Sequence, residues 1–446
     1  MRAWSVKRFF ARHTLEYSIS TGIYIPLPLE YGVALLYTGS MRLSEIRDIC
    51  AGQKLALEGQ EPGLKREGLR HLPDIRSHAL IVSGIRRCGK STLLRQFVRE
   101  LKRPFFYLNF DDIRLASFTD GDFALIDKAI GDSGARLIFF DEIQSADKWE
   151  LYVRQKLDEG FQLVITGSNA SLLSRELGSR LTGRHLSKEL FPFSYREFCS
   201  FLNLDAGPES LSDYLEKGGF PEFLKTGNAD ILAQLQSDIL YRDIAVRHGI
   251  RDAAALRRLF VYLLSNSSQL FSPSKLTSVI GVKSPTTVLE YISHFEAAYL
   301  IQLLPRFAWS VKAQGLAPKK VYVSDTGLIK TVAFSFSRNH GALLENFVYN
   351  NLRMSLGVPN DGQLFYFCGK GSGECDFVVR SRGETRCVQV CWELGADNQD
   401  REINGLLDAL DFFGLEEGEI LTHDTEDLIL ARGKKIHVTP AWKRGF

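Results

Sequence analysis

The chain has 446 residues, a formal net charge of +2 and a pI near 8.1, so there is no global basic field and any nucleic-acid contact must come from a local patch. A hydrophobic content of 45% beside 24% charged residues suits about two to four globular domains, and no apolar run reaches the ~20 residues a bilayer span needs. Seven cysteines, an odd number without regular spacing, argue against a disulfide framework and for a reducing, cytoplasmic setting.

Residues 1–40 read as an upstream misreading or a dispensable extension. Pro26, Pro28 and Glu30 interrupt the one apolar patch, and no cleavage site follows it. Met41 then opens a charged amphipathic pattern typical of a first helix, which makes it the expected start of translation.

The most informative stretch is ALIVSGIRRCGKSTLLRQF, residues 79–97. A buried strand at Leu80–Val82 breaks at Gly84, and a helix begins after Gly89. The run Gly84, Ile85, Arg86, Arg87, Cys88, Gly89, Lys90, Ser91, Thr92 fits GxxxxGK[ST], a loop whose N–H groups converge on phosphate oxygens. Lys90 is expected to reach the β- and γ-phosphates of ATP, and Ser91 to ligate Mg²⁺.

Phe105–Phe110 reads as a second strand, ending in Asp111 and Asp112. The next, within Arg136–Gln144, ends in Asp141 and Glu142. Asp141 is expected to hold Mg²⁺ and Glu142 to orient and polarise the attacking water, the bland alternative being a pair of N-cap carboxylates. A further strand, Phe161–Thr166, delivers Ser168 and Asn169 to the sheet edge where ligands bind, so one of them is expected at the γ-phosphate or the lytic water. Asn169 is the chosen candidate. Arg180 and Arg184 follow beside glycines, and Arg184 is taken as the stabiliser of transition-state charge, in cis or across an oligomer interface. Alternating strands and helices imply an α/β, parallel-sheet domain over residues 41–205.

The motifs GIRRCGKST, NFDD, FFDEIQ, TGSN, LTGR with FPFSYREF, GGFPE and YRDI together resemble the AAA-type P-loop ATPases that carry a C-terminal nuclease-like domain. The resemblance runs from Met41 onward. It implies ATP binding and hydrolysis, and little about physiological role.

Residues 206–338 turn helical. GGFPEFL marks a turn between helices. Within 272–301, Pro273 starts a short helix, Gly281 turns it, and Ser284 caps a second helix with Pro285 at its first position. With the strands LIQLLP and KKVYVSD this predicts a winged helix-turn-helix, to which Lys283, Lys312, Lys319 and Lys320 add local positive charge. DNA contact, a protein partner and a plain packing lid all remain open for this unit, with His294 and Glu296 read as ordinary surface residues.

Residues 339–446 resemble the PD-(D/E)xK nuclease fold. Under that resemblance Glu345 is the helix acid, Asp376 the strand acid, and Gln389 and Cys391 stand where an acid and a lysine are required. The substitutions predict a retained fold without nuclease activity. Clustered Cys368, Cys375, Cys387 and Cys391 fit no CxxC pair and read as buried thiols rather than a zinc site. The whole predicts a Mg²⁺-dependent ATPase acting as a switch or motor for a C-terminal partner-recognition region. The alternatives are a non-hydrolysing ATP-binding module and, further off, an ATP-gated nuclease.

Overall fold

The computed structural model describes residues 41–68, 73, 75–101, 103–170, 181, 183–332, 339–357, 362–369 and 373–444. Residues 1–40 and Arg180 therefore lie outside the described residues.

Five parallel strands form the first sheet: β1 (Ala79–Ser83), β2 (Phe105–Asn109), β3 (Leu137–Asp141), β4 (Gln162–Gly167) and β5 (His185–Glu189), in the order β2-β3-β4-β1-β5. Because side chains alternate along a strand and both faces are covered, each of β1 to β4 feeds two cores. Leu80, Val82, Tyr107, Phe139 and Val164 pack on one face with Leu93, Leu94 and Phe97 of the helix after the loop. Ala79, Ile81, Leu108, Phe140 and Ile165 pack on the other with Ile46, Ile126 and Val153. That face is covered by α1 (Leu43–Gly59), while α2 (Lys90–Glu100) lies on the first; α3 (Phe123–Ser133) and α4 (Trp149–Asp158) complete the second layer. At ~1.5–3 kcal/mol per fully buried large apolar side chain, these two layers are what hold the strand ends in register.

The strand β5 is absent from the sequence reading. HLSKE shows no apolar run, and only Ser187 of its five residues is buried, in contrast to β2 at the other edge of the sheet.

The next helices are α5 (Tyr195–Leu202), α6 (Pro208–Lys217), α7 (Pro221–Thr226) and α8 (Asp230–Ser237), the last continuing into a π-helical segment, Asp238–Val246. Gly218 and Gly219 of GGFPE sit where side chains do not fit. A Cβ on Gly218, at φ 70°, would meet Asp325 Oδ1 at 1.9 Å, and one on Gly219 would meet the Phe193 carbonyl oxygen at 2.2 Å.

A compact unit follows: α9 (Ala253–Ser265), β6 (Leu270–Phe271), α10 (Pro273–Ile280), α11 (Pro285–Ala297), β7 (Ile301–Leu304) and, after α12 (Val311–Leu316), β8 (Lys319–Val323). Its antiparallel sheet has the order β6-β8-β7. Gly281 closes α10 in the left-handed region, and Ser284 Oγ accepts from the Thr286 N–H at 3.1 Å, as the capping pattern predicts. Two details differ from the sequence reading. His294 is half-buried and stacks on His248 at 3.8 Å, and Glu296 is half-buried with its carboxyl pushed up by burial, so neither is a plain surface residue.

After α13 (Thr326–Val332), the C-terminal part places α14 (His340–Leu356) and α15 (Gln399–Phe413) on a six-stranded mixed sheet of β9 (Gly362–Cys368), β10 (Glu374–Ser381), β11 (Glu384–Val390), β12 (Glu417–Thr422), β13 (Asp427–Ala431) and β14 (Lys434–Pro440). Leu344, Phe347 and Val348 of α14 pack with Phe377 and Val388, whereas Leu406 and Leu410 of α15 pack with Val378, Ile420 and Ile436. The two helices thus cover opposite faces. Cys375, Cys387 and Cys391 are buried free thiols and Cys368 is half-buried; no cluster of metal ligands occurs among the described residues.

Candidate functional site

The loop 84–89 leaves the buried end of β1, between β4 and β5, at the carboxyl edge where open α/β sheets bind ligands. Gly84, at φ 152°, is packed so closely that a Cβ would lie 2.1 Å from the Leu190 carbonyl oxygen; Gly89, at φ 108°, caps α2. Ile85 and Cys88 turn into the core and anchor the loop from beneath. Burial raises the Cys88 thiol, which keeps it protonated and inert. Arg66 clasps the loop from outside, donating to Cys88 O at 3.0 Å, to Phe191 O at 2.7 Å and to Glu197 Oε1 at 2.9 Å.

Lys90 is buried. Its Nζ donates to Gly84 O at 3.0 Å and Ile85 O at 3.2 Å and lies 3.5 Å from Glu142 Oε1. Burial works against its charge, but Glu142 and Asp141 outweigh it and leave the ammonium more firmly protonated than usual. Ser91 and Thr92 open α2, both half-buried.

Asp141 ends β3, wholly buried. It accepts from Tyr107 Oη at 3.1 Å on β2 and from Thr166 Oγ1 on β4, and it is hydrogen-bonded to the Ser91 side chain. Burial and then Glu142 push its carboxyl up, while Thr166, Ser91 and Lys90 pull the other way. A buried carboxylate beside a serine hydroxyl is a hard-oxygen pair short of positive charge, so the donors fit Mg²⁺.

Glu142 follows in the left-handed region at φ 51°. Its Oε2 accepts from the Ser168 N–H at 3.1 Å, from Ser168 Oγ at 2.9 Å and from Gln144 Nε2, while its own N–H donates to Thr166 Oγ1 at 3.2 Å. Burial alone would raise this carboxyl. Lys90, Gln144 and Ser168 overcome that and hold it below the ordinary value, ready to act as a base. Of the pair at the β4 edge, Ser168 is the one on Glu142; Asn169 is its half-buried neighbour one residue further from that contact.

Arg184 does not belong to this site in its own chain. Its backbone oxygen accepts from the Ala79 N–H at 3.1 Å, at the start of β1, and its guanidinium is paired with Asp158 at 2.7 Å. The loop lies beyond the other end of β1, four residues away at ~3.3 Å each, or about 13 Å. The misplacement follows from overlooking β5, which begins with His185.

Arg86 and Arg87, named from the sequence as loop residues, and Arg242, which was not, have acidic partners that the sequence did not reveal. Arg86 reaches Asp243 Oδ1 at 3.3 Å and Asp111 Oδ2 at 3.2 Å; Arg87 reaches Glu222 and Asp238, each at 3.5 Å; Arg242 pairs with Asp111. Asp238, Arg242 and Asp243 all lie in the π-helical segment, a conformation that recurs at functional sites. The signal available was YRDI itself, whose charges interrupt an otherwise apolar helix face.

At the C-terminal candidate site, Glu345 comes from α14, Asp376 from β10 and Gln389 from β11, and they do converge. Gln389 Oε1 accepts from the Asp376 N–H at 3.1 Å and its Nε2 donates to Glu402 Oε2 at 2.6 Å. Cys391 is buried, its thiol pushed up to about 12 by burial and by Glu402 and Asp376. Lys320, expected on an exposed wing, is instead buried among these carboxylates and is not available to DNA.

The phosphate loop, the acidic pair on β3 and the parallel sheet define a P-loop ATPase of the AAA class. A family profile described as an AAA domain matches residues 76–199, and a domain of unknown function (DUF8612) matches residues 208–339. The uncharacterized protein MJ1544 of Methanocaldococcus jannaschii is 32% identical over 390 residues, covering 81% of this chain and 87% of that protein. An uncharacterized protein of Haemophilus influenzae is 30% identical over 343 residues, covering 72% and 84%. The chain belongs to the family of AAA-domain proteins that includes MJ1544. Among solved structures, the Walker-type ATPase of Pyrococcus abyssi is similar at 16% identity and a TM-score of 0.38, covering 57% of this chain and 90% of that one. The Aeropyrum pernix ORC1 protein in complex with DNA is similar at 14% identity and a TM-score of 0.24, covering 69% and 93%.

Proposed function

We propose that the protein is a Mg²⁺-dependent ATP hydrolase whose 206–446 region is the receiver of the nucleotide state. The observation that carries this reading is Glu142, biased toward the carboxylate and fixed between Lys90 and Ser168 at the sheet edge. In this reading the backbone N–H groups of 84–89 and the Lys90 ammonium bind the phosphates. Ser91 and Asp141 hold Mg²⁺, which when bound neutralises phosphate charge. Glu142 orients a water and accepts its proton, and Ser168 keeps the carboxylate aimed. Arg86 and Arg87 connect the loop to the π-helical segment, so binding of an anion at the loop competes with Asp243 and Asp238 for their charge.

Steady-state phosphate release tests the reading. Wild type is expected to turn over, and Glu142→Gln to lose about 10²–10⁴-fold in rate while still binding ATP. Absence of turnover in the wild type, with and without DNA, would reject hydrolysis in favour of static ATP binding. The partner we propose is DNA, met by exposed Lys283 and Thr286 at the start of α11. Gel shifts must then weaken as salt rises, and a shift retained in Lys283→Ala at all salt concentrations counts against that surface.

A further inference from the structure

Lys320 enters the nuclease-like pocket from a different part of the chain. It lies on β8, pairs across the sheet with Leu270 and Leu304, and reaches three carboxylates: Glu345 Oε1 at 2.9 Å on α14, and Glu374 Oε1 at 2.7 Å and Asp376 Oδ1 at 2.9 Å on β10. An ammonium has three N–H donors, and here each has a carboxylate oxygen, so none is left for a water or a phosphate. Tyr322, two residues along the same strand face, donates to Glu345 Oε1 at 2.7 Å. Asp376 Oδ2 is also taken, accepting from the Val390 N–H at 3.0 Å.

A metal-dependent nuclease would need a divalent ion where Nζ now sits. Oxygen ligands hold Mg²⁺ at ~2.0–2.1 Å and Ca²⁺ at ~2.3–2.6 Å, and neither fits beside an ammonium already in contact with the same three carboxylates. The residues therefore do not fit the metal that the nuclease resemblance implies, and no ligand cluster suited to a metal occurs among the described residues. The missing motif lysine at Cys391 is not restored either, because Lys320 has no free donor.

We propose that Lys320 is the resident cation of this pocket, that it excludes divalent metal, and that the saturated cluster is a clasp joining the β6-β8-β7 unit to the C-terminal sheet. The cavity around it, of about 680 Å³, is lined by the charged residues Glu345, Glu374, Asp376, Glu393, Arg401 and Glu402. With Lys320 removed, its acids outnumber its cations by four, five against Arg401 alone, and it becomes a site for a hard divalent cation.

The test is Mn²⁺ binding to the nucleotide-free full chain in an Asp141→Asn background, which removes the metal position at the phosphate loop. With Lys320 intact, no Mn²⁺ is expected to bind at micromolar concentrations. Adding Lys320→Met is expected to create one Mn²⁺ site, to lower the thermal midpoint, and to make that midpoint rise on addition of Mn²⁺. One Mn²⁺ bound with Lys320 present overturns the proposal, as does a folded Lys320→Met chain that takes up none. If Lys320→Met does not fold, Glu374→Gln decides the clasp, since its carboxylate is at the rim of the cluster. A lowered midpoint supports the clasp, and an unchanged one overturns it.

Discussion

The buried pair between Arg353 of α14 and Glu189 at the end of β5 gives the most quantitative prediction. The guanidinium donates Nη1 to Glu189 Oε1 at 2.8 Å and Nη2 to Oε2 at 2.5 Å, with both side chains largely buried. Glu189 directly precedes Leu190, whose carbonyl oxygen presses on Gly84, so the pair fixes the wall of the phosphate loop. Replacing Arg353 by Met leaves a buried carboxylate without its counter-charge, which costs about 3–5 kcal/mol. At roughly 2–4 °C per kcal/mol this is a shift on the order of 10 °C in the transition that includes the sheet. The double variant Arg353→Met with Glu189→Gln is expected to recover most of the loss, because the orphan charge is gone. The pH dependence has a definite sign. Burial already raises the Glu189 carboxyl above its ordinary 4.5, with Arg353 opposing. Without Arg353 the folded-state value rises further, so the acid is favoured protonated and the variant loses stability as pH climbs through that value. The deficit measured by denaturant titration should therefore be larger at pH 8 than at pH 5. A deficit below about 1 kcal/mol, or one equal at both pH values, refutes the reasoning.

Other substitutions read out separate parts of the same architecture. Gly84→Ala should cost at least about 2 kcal/mol and abolish ATP binding, because its Cβ meets the Leu190 carbonyl oxygen at 2.1 Å; wild-type nucleotide affinity in this variant would contradict the packing. Asp325 accepts from the Gly219 N–H at 2.7 Å and the Gly327 N–H at 2.9 Å, yet burial pushes its carboxyl from 3.8 to about 7. Its stabilising contribution is complete below pH 3.8 and falls as pH rises to about 7, by on the order of 4 kcal/mol. Asp325→Asn should remove that slope from the stability profile, and a slope that persists assigns it to another group.

What could be read from the sequence is what local chemistry writes. The strands ending at Ser83, Asn109, Asp141 and Gly167 are apolar because both their faces are buried, so they announce themselves without partners. The loop from Gly84 to Lys90 and the pair Asp141–Glu142 are local motifs, and Gly281, Ser284 and Pro285 are local helix punctuation. β5 escapes because only Ser187 of its residues is buried, unlike the other edge strand, β2, whose FFYLN is covered and apolar, and with it goes the placement of Arg184. Lys320 escapes for a different reason. Its partners lie 25, 54 and 56 residues away in the chain, and a lysine in KKVYV looks the same whether it faces water or three carboxylates. Arg66 on Glu197 and Arg86 on Asp243 are long-range pairs of the same kind.

These long-range pairs divide the surroundings of the loop into two sides. Among the described residues, the hydrogen bonds of Asp141 and Glu142 stay within the sheet domain, to Ser91, Tyr107, Gln144, Thr166 and Ser168. The opposite side, where β1 meets β5, is tied to the rest of the chain: Glu189 to Arg353, Arg86 to Asp243, and Ser83 Oγ to the buried Tyr299 Oη at 2.7 Å. Tyr299 closes α11 with its own backbone in the left-handed region at φ 59°, and its carbonyl oxygen accepts from Ser324 Oγ, so its position is fixed from both ends. Chemistry and coupling should therefore separate by mutation. Tyr299→Phe removes one buried hydrogen bond, worth about 1 kcal/mol, without touching a group that faces the phosphates. The expected outcome is a stability loss of that size with ATP affinity within about twofold of wild type, and with any DNA stimulation of turnover reduced. A Tyr299→Phe chain that loses ATP affinity in proportion to its stability would show instead that the two sides of the loop act as one.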